Sequence, residues 1–139
     1  MPPTVGAERA RLDHIAINVA EQQRSIDFYR GAFGLTEIPA PFGGAPGTPR
    51  WLRLAGGVEL HVQSQPIEIA PPPRVIHIAL AVQDLDATIA YLRAHGIGWS
   101  NFQEEAGKIG RDRSDGVRQI FVQDPDGYWI EVNDVAAAH

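Results

Sequence analysis

Cysteine is absent from the sequence, which removes disulfides, thiolate nucleophiles and cysteine-ligated zinc or iron–sulfur centres together. Any bound metal must therefore be held by nitrogen and oxygen. Positive charge is not in excess either: 12 Lys and Arg stand against 17 Asp and Glu, a formal charge of −5, so nucleic acid is not an expected partner. No apolar run approaches the roughly 18–20 residues of a membrane span. The first residues lack the basic start and apolar stretch of a secretion signal, so the chain is expected to be cytoplasmic, with no membrane partner. What is present is ordinary for a folded domain. With 139 residues, 44% hydrophobic and 21% charged, the chain is long enough to bury a core of its own.

The sequence repeats itself. Arg11, His14, Ile15, Ala16 and Val19 recur as Arg74, His77, Ile78, Ala79 and Val82, an offset of 63 that continues through Ile26/Ile89 and Arg30/Arg93. Towards the end of each half, Gly57 to Gln63 falls on Gly127 to Asn133, an offset of 70. The reading is one domain over 11–133, built from a first module (about 11–63), a proline-rich linker (64–73) and a second module (about 74–133). A flexible N-terminus (1–10) and a short tail (134–139) flank it. Each module reads strand, helix, three strands. Strands are expected over 12–19, 35–40, 51–54 and 58–63, then over 75–82, 97–102, 119–123 and 128–133. Helices are expected over 22–33 and 85–95, stopped by Gly34 and Gly96, the second capped by Asp84. The fold class is therefore α+β, two βαβββ modules.

Side chains alternate across a strand, which sorts these residues into two rows. Ile15, Ile17 and Val19 suit packing under a helix, whereas His14 falls on the opposite row. By the same count His77 opposes Ile78 and Leu80, His61 and Glu59 oppose Leu60 and Val62, and Glu131 opposes Ile130 and Val132. The repeat makes His14 equivalent to His77, and His61 to Glu131. Four nitrogen or oxygen donors thus stand at symmetry-matched points, on faces expected to line one cleft.

These residues resemble the vicinal oxygen chelate superfamily, which includes glyoxalase I, extradiol dioxygenases and bleomycin-binding proteins. The resemblance is carried by His14 in its strand, by Ser25 to Arg30 leading into Phe33, Gly34 and Leu35, by Trp51 and Leu52 ahead of Leu60 and His61, and by His77 to Val82. Asp124 to Glu131 completes it. It implies a half-barrel of curved mixed sheet around a metal-centred cleft, with the helices outside. Carried over by position, the metal ligands fall on His14, His61, His77 and Glu131. Glu59 is the alternative to His61, because Val58, Glu59 and Leu60 resemble the glutamate-bearing strand of glyoxalase I.

The resemblance implies a divalent ion (Zn, Ni, Co, Mn or Fe(II)) that grips two adjacent oxygens of a small-molecule substrate, with Glu131 or Glu59 as the base. A glyoxalase-like lyase or isomerase is the expected activity. An Fe(II) extradiol-type dioxygenase and a non-catalytic drug- or metabolite-binding protein are the alternatives. Homodimers are common in the superfamily and some members build each site from modules of two chains, so a homodimer is expected, with the four donors supplied either by one chain or by two. Trp51, Phe121 and Trp129 fall on the same rows as the donors and are expected to wall the pocket. Arg111 or Arg113, in the polar loop 104–116, is expected to grip a carboxylate or phosphate of the substrate.

Overall fold

Both helices stop at a glycine, as the sequence requires: Gly34 takes φ 69° and Gly96 takes φ 66°, a left-handed conformation that side chains resist. Asp84 caps the second helix by accepting from the Ala87 backbone N–H at 2.9 Å. The computed structural model describes residues 8–137, so the flexible N-terminus expected over 1–10 lies mostly outside the described residues. In chain order the elements are β1 (His14–Asn18), α1 (Gln22–Phe33), β2 (Thr36–Ile38), β3 (Arg50–Arg53), β4 (Glu59–Gln63), β5 (Ile78–Ala81), α2 (Leu85–Ala94), β6 (Gln119–Gln123) and β7 (Trp129–Asn133).

The strands form two open mixed sheets, ordered β1-β4-β3-β2 and β5-β7-β6. β1 runs parallel to β4, as β5 does to β7. Register reproduces the internal repeat. Ala16 stands opposite His61 as Ala79 stands opposite Glu131, and Trp51 opposite His61 as Phe121 opposite Glu131. The fold is α+β with two βαβββ-type halves, as expected.

One expected strand does not form. Over 97–102 only Ser100 pairs, through isolated bridges to Phe121 and Ala106. Asn101 ends the ladder: its side-chain oxygen accepts from the Glu105 N–H and its amide donates to the Glu105 carboxylate, both at 2.9 Å, which turns the chain back. β5 is also shorter than its sequence pattern. A turn in which Ile76 N–H donates to the Pro73 carbonyl at 2.8 Å occupies its expected start, so His77 immediately precedes the strand.

The helix-facing rows of both sheets meet in one core. Ile17, Leu60 and Val62 from the first sheet join Leu80, Ile130 and Val132 from the second, with Ile26, Tyr29, Leu85, Ile89 and Leu92 from the helices. Gly31 allows the helices their approach, because an added Cβ would stand 2.1 Å from the Tyr91 hydroxyl.

The hairpin before β7 fastens one half to the other. Buried Asp124 accepts from the Tyr29 hydroxyl at 2.6 Å and from the Asp126 and Tyr128 amides at 2.9 and 3.0 Å. Asp126 accepts from the Ala20 N–H at 2.9 Å, and Tyr128 Oη donates to the Asn18 carbonyl at 3.1 Å. Burial pushes the Asp124 carboxyl above its ordinary value, against the opposing pull of its hydrogen bonds. A carboxyl raised on folding binds its proton more tightly in the native state. Its contribution is full below the unfolded value and is lost as pH rises through the folded value. Asp124→Asn removes that dependence. Calorimetry from pH about 4 to 7 is expected to show Tm shifting in favour of the variant, relative to wild type, as pH rises. A Tm difference constant across that range would contradict the assignment.

Candidate functional site

On the first sheet, His14 and His61 project from neighbouring strands on the face away from the core. Their rings stack with centroids 4.0 Å apart and planes 14° apart. Trp51 stacks on the other side of His61 at 4.0 Å, with planes 3° apart. Glu59 accepts from His61 Nε2 at 2.9 Å, and Asp13 accepts from His14 Nδ1 at 2.8 Å. The hydrogen bond to His14 lowers the Asp13 carboxyl below its ordinary value. Carboxylates only accept, so each nitrogen carries a proton and the other nitrogen of each neutral ring keeps a lone pair.

On the second sheet, His77 Nδ1 donates to the Arg74 carbonyl at 2.8 Å. That bond fixes the tautomer and leaves Nε2 as the lone-pair nitrogen. Nε2 faces Glu131 Oε1 at 3.8 Å, while the Asn133 amide donates to Glu131 Oε2 at 2.7 Å. The His77 ring meets buried Phe121 edge-on at 5.1 Å. Nε2 and a carboxylate oxygen thus face one another at 3.8 Å without a hydrogen bond between them.

The two pairs do not converge within one chain. Among the described residues no three His, Asp or Glu side chains are arranged to hold a metal ion. One chain by itself therefore does not gather the four donors. The helix-facing rows of both sheets share one core, so alternation turns the donor rows of the two halves away from it.

The donor chemistry nevertheless fits a divalent ion. With bonds of about 2.0–2.1 Å, two ligands on a tetrahedral ion stand roughly 3.4 Å apart, close to the His77–Glu131 separation. The carbonyl behind His77 and the amide behind Glu131 are the outer partners that metal ligands require. His14 and His61 fit only after a change. Imidazole lone pairs lie in the ring plane, so two stacked parallel rings cannot both reach one ion. His61 is held by Trp51 and Glu59, whereas the His14 side chain is 43% exposed and stacked on one face, so His14 is the ring able to turn.

The expected pocket residues divide. Trp51 stands beside His61, and Phe121 beside His77. Trp129 lies about the Arg74 guanidinium, 5.9 Å from the ring centroid. Arg113 is held by Asp115, which raises its guanidinium above the ordinary value, and it also feels the Glu131 charge. Arg111 is exposed and joins neither pair. Arg74 was not marked by the sequence: it precedes the strand pattern, and its repeat mate Arg11 merely lies near Asp13 at the surface.

This chain belongs to the Glyoxalase/Bleomycin resistance protein/Dioxygenase superfamily, whose family model matches residues 11–132. Similar solved structures include "Oxidase ChaP-H2", at 21% identity and TM-score 0.76, covering 94% of this chain and 98% of that one. A glyoxalase family protein from Bacillus anthracis is 25% identical, with TM-score 0.71, covering 92% and 97%. Lactoylglutathione lyase from Agrobacterium tumefaciens is 18% identical, with TM-score 0.65, covering 97% and 96%. No curated sequence matches the chain. Among the described residues no helix is long and apolar enough to cross a membrane.

Proposed function

We propose that the protein is a divalent-metal-dependent enzyme of the glyoxalase-like lyase or isomerase type, acting on a small molecule with vicinal oxygens. It works as a homodimer in which each site takes His14 and His61 from one copy and His77 and Glu131 from the other. The observation that carries this reading is the pairing of His77 Nε2 with Glu131 Oε1 at 3.8 Å, each side chain backed by its own hydrogen-bond partner.

A bound ion would supply Lewis-acid polarisation of the substrate oxygens, worth several kcal/mol at the transition state. The chain's own residues do the rest. The Arg74 carbonyl and the Asn133 amide hold His77 and Glu131 in their orientations. Glu59, joined to His61, is the carboxylate that takes and returns a substrate proton, since Glu131 is engaged as a ligand. Trp51 and Phe121 give the cleft apolar walls.

Two features support completion by a second copy. β1 and β5 are edge strands, and both border one apolar groove of about 350 Å³ lined by Leu12, Ile15, Ile78 and Leu80 among others. Bare edges with apolar flanks favour pairing with another chain. Leu12, Val75 and Ile76 are 59%, 71% and 62% exposed in the single chain, and they flank His14 and His77. A two-fold arrangement that sets β1 of one copy beside β5 of the other would cover them and close the site.

An Fe(II) extradiol-type dioxygenase is the second reading, favoured by the stacked aromatic wall of Trp51 beside two imidazoles, which suits a planar diol. Metal content of protein purified without chelator, followed by oxygen uptake with Fe(II) and a catechol panel, separates the cases. The lyase reading expects about one ion per chain and no oxygen uptake. Oxygen uptake would transfer the assignment to the dioxygenase, and protein that retains no metal would overturn both.

A further inference from the structure

Arg74 is the most conspicuous side chain that the metal reading leaves unused. Its Nε and Nη1 atoms are buried and have no hydrogen-bond partner. Glu104 Oε1 comes within 3.4 Å of Nη1, an ion-pair contact without hydrogen-bond geometry, from a side chain that is 73% exposed. Buried donors left unmade are costly, and a charged one more so. The guanidinium carbon lies 4.7 Å from the Phe102 ring centroid and 5.9 Å from those of Phe121 and Trp129. Aromatic faces stabilise the cation without satisfying its N–H groups.

Its neighbours also line a cavity. Glu104, Phe121 and Trp129 border a cleft of about 370 Å³, together with Trp99, Ser100 and Gln123. The side chains covering Arg74 from outside, Phe102 and Glu104, both belong to the exposed turn that follows Ser100. Glu104 holds φ 67°, a backbone conformation unfavourable for a residue with a Cβ.

We propose that Arg74 is an anion-binding residue whose ligand is a planar acid: the carboxylate displaces Glu104 from the guanidinium, and the flat body lies against Trp129 and Phe121. Charge-assisted bonds from guanidinium to carboxylate are the strong kind, and the planar cation favours a planar anion. Glu104 holds the position with the same chemical group, so exchange replaces a poorly aligned carboxylate with one free to align. Phe121 touches both Arg74 and His77, which sets the bound acid beside the donor pair. That this acid is the substrate rests on the function proposed above; the anion site itself does not.

The test uses full-length, chelator-treated protein, so failure of the metal reading leaves it intact. Benzoate is titrated while tryptophan fluorescence is read, with benzamide as its neutral analogue and inorganic phosphate as a non-planar anion. Benzoate is expected to bind roughly ten-fold or more tightly than benzamide and phosphate. Glu104→Gln, which removes the competing charge, is expected to tighten benzoate severalfold, and Arg74→Gln to abolish the preference over benzamide. Should Arg74→Gln not fold, Arg74→Lys keeps the charge while losing the planar donor set, and is expected to weaken benzoate. Equal binding of benzoate and benzamide, or benzoate affinity unchanged in Glu104→Gln, would overturn the proposal.

Discussion

His77→Ala is expected to strip the protein of its metal while leaving it folded. His77 Nε2 faces Glu131, and the other ring nitrogen is already committed to the Arg74 carbonyl. Removing a direct donor should weaken binding by more than the ~10–100-fold typical of losing an outer partner. The ring is only partly buried, and its main packing contact is the edge of Phe121. Elemental analysis and turnover should therefore both fall to background, with the circular dichroism spectrum unchanged. His95→Ala is the control, because His95 stacks on Tyr91 at the end of α2, apart from both donor pairs. Full metal content in His77→Ala would remove this residue from the site.

Ile76→Asp is expected to separate the dimer and abolish metal binding together, although Ile76 is itself no ligand. In the single chain Ile76 is 62% exposed, so a polar replacement leaves its fold intact. In the proposed assembly the same position is covered, and burying Ile there contributes about 1.5–3 kcal/mol that an aspartate forfeits before its own desolvation is counted. Light scattering should show monomers with native circular dichroism and no retained metal. Monomers that keep their metal would show that one chain completes the site unaided.

The sequence was most legible where periodicity and repetition agreed. Both helices, their glycine stops and the Asp84 cap follow from local rules, and the match of His61 to Glu131 follows from the repeat and is reproduced by strand register. The segment over 97–102 misled because its β-like composition carries no trace of the Asn101–Glu105 turn that ends its pairing after one residue. Alternation marked the rows that meet in the core, with Ile17, Leu60, Val62, Leu80, Ile130 and Val132 among them. It could not say how the two halves pack. That depends on contacts far apart in sequence, such as Tyr29 with Asp124 and Asn18 with Tyr128, which join the halves through their helix-facing sides. Arg74 escaped for a related reason: its significance lies in Phe102, Phe121 and Trp129, rings gathered by the tertiary fold.

The sharing of each site between two copies is tested most directly by mixing two inactive variants, His14→Ala and His77→Ala, and allowing their subunits to exchange. A mixed dimer would carry one doubly damaged site and one wholly intact site. Random pairing of equal amounts makes half of the dimers mixed, so about one quarter of wild-type metal and activity should return. If each chain built its own site, every site in the mixture would still lack a histidine, and exchange would restore nothing.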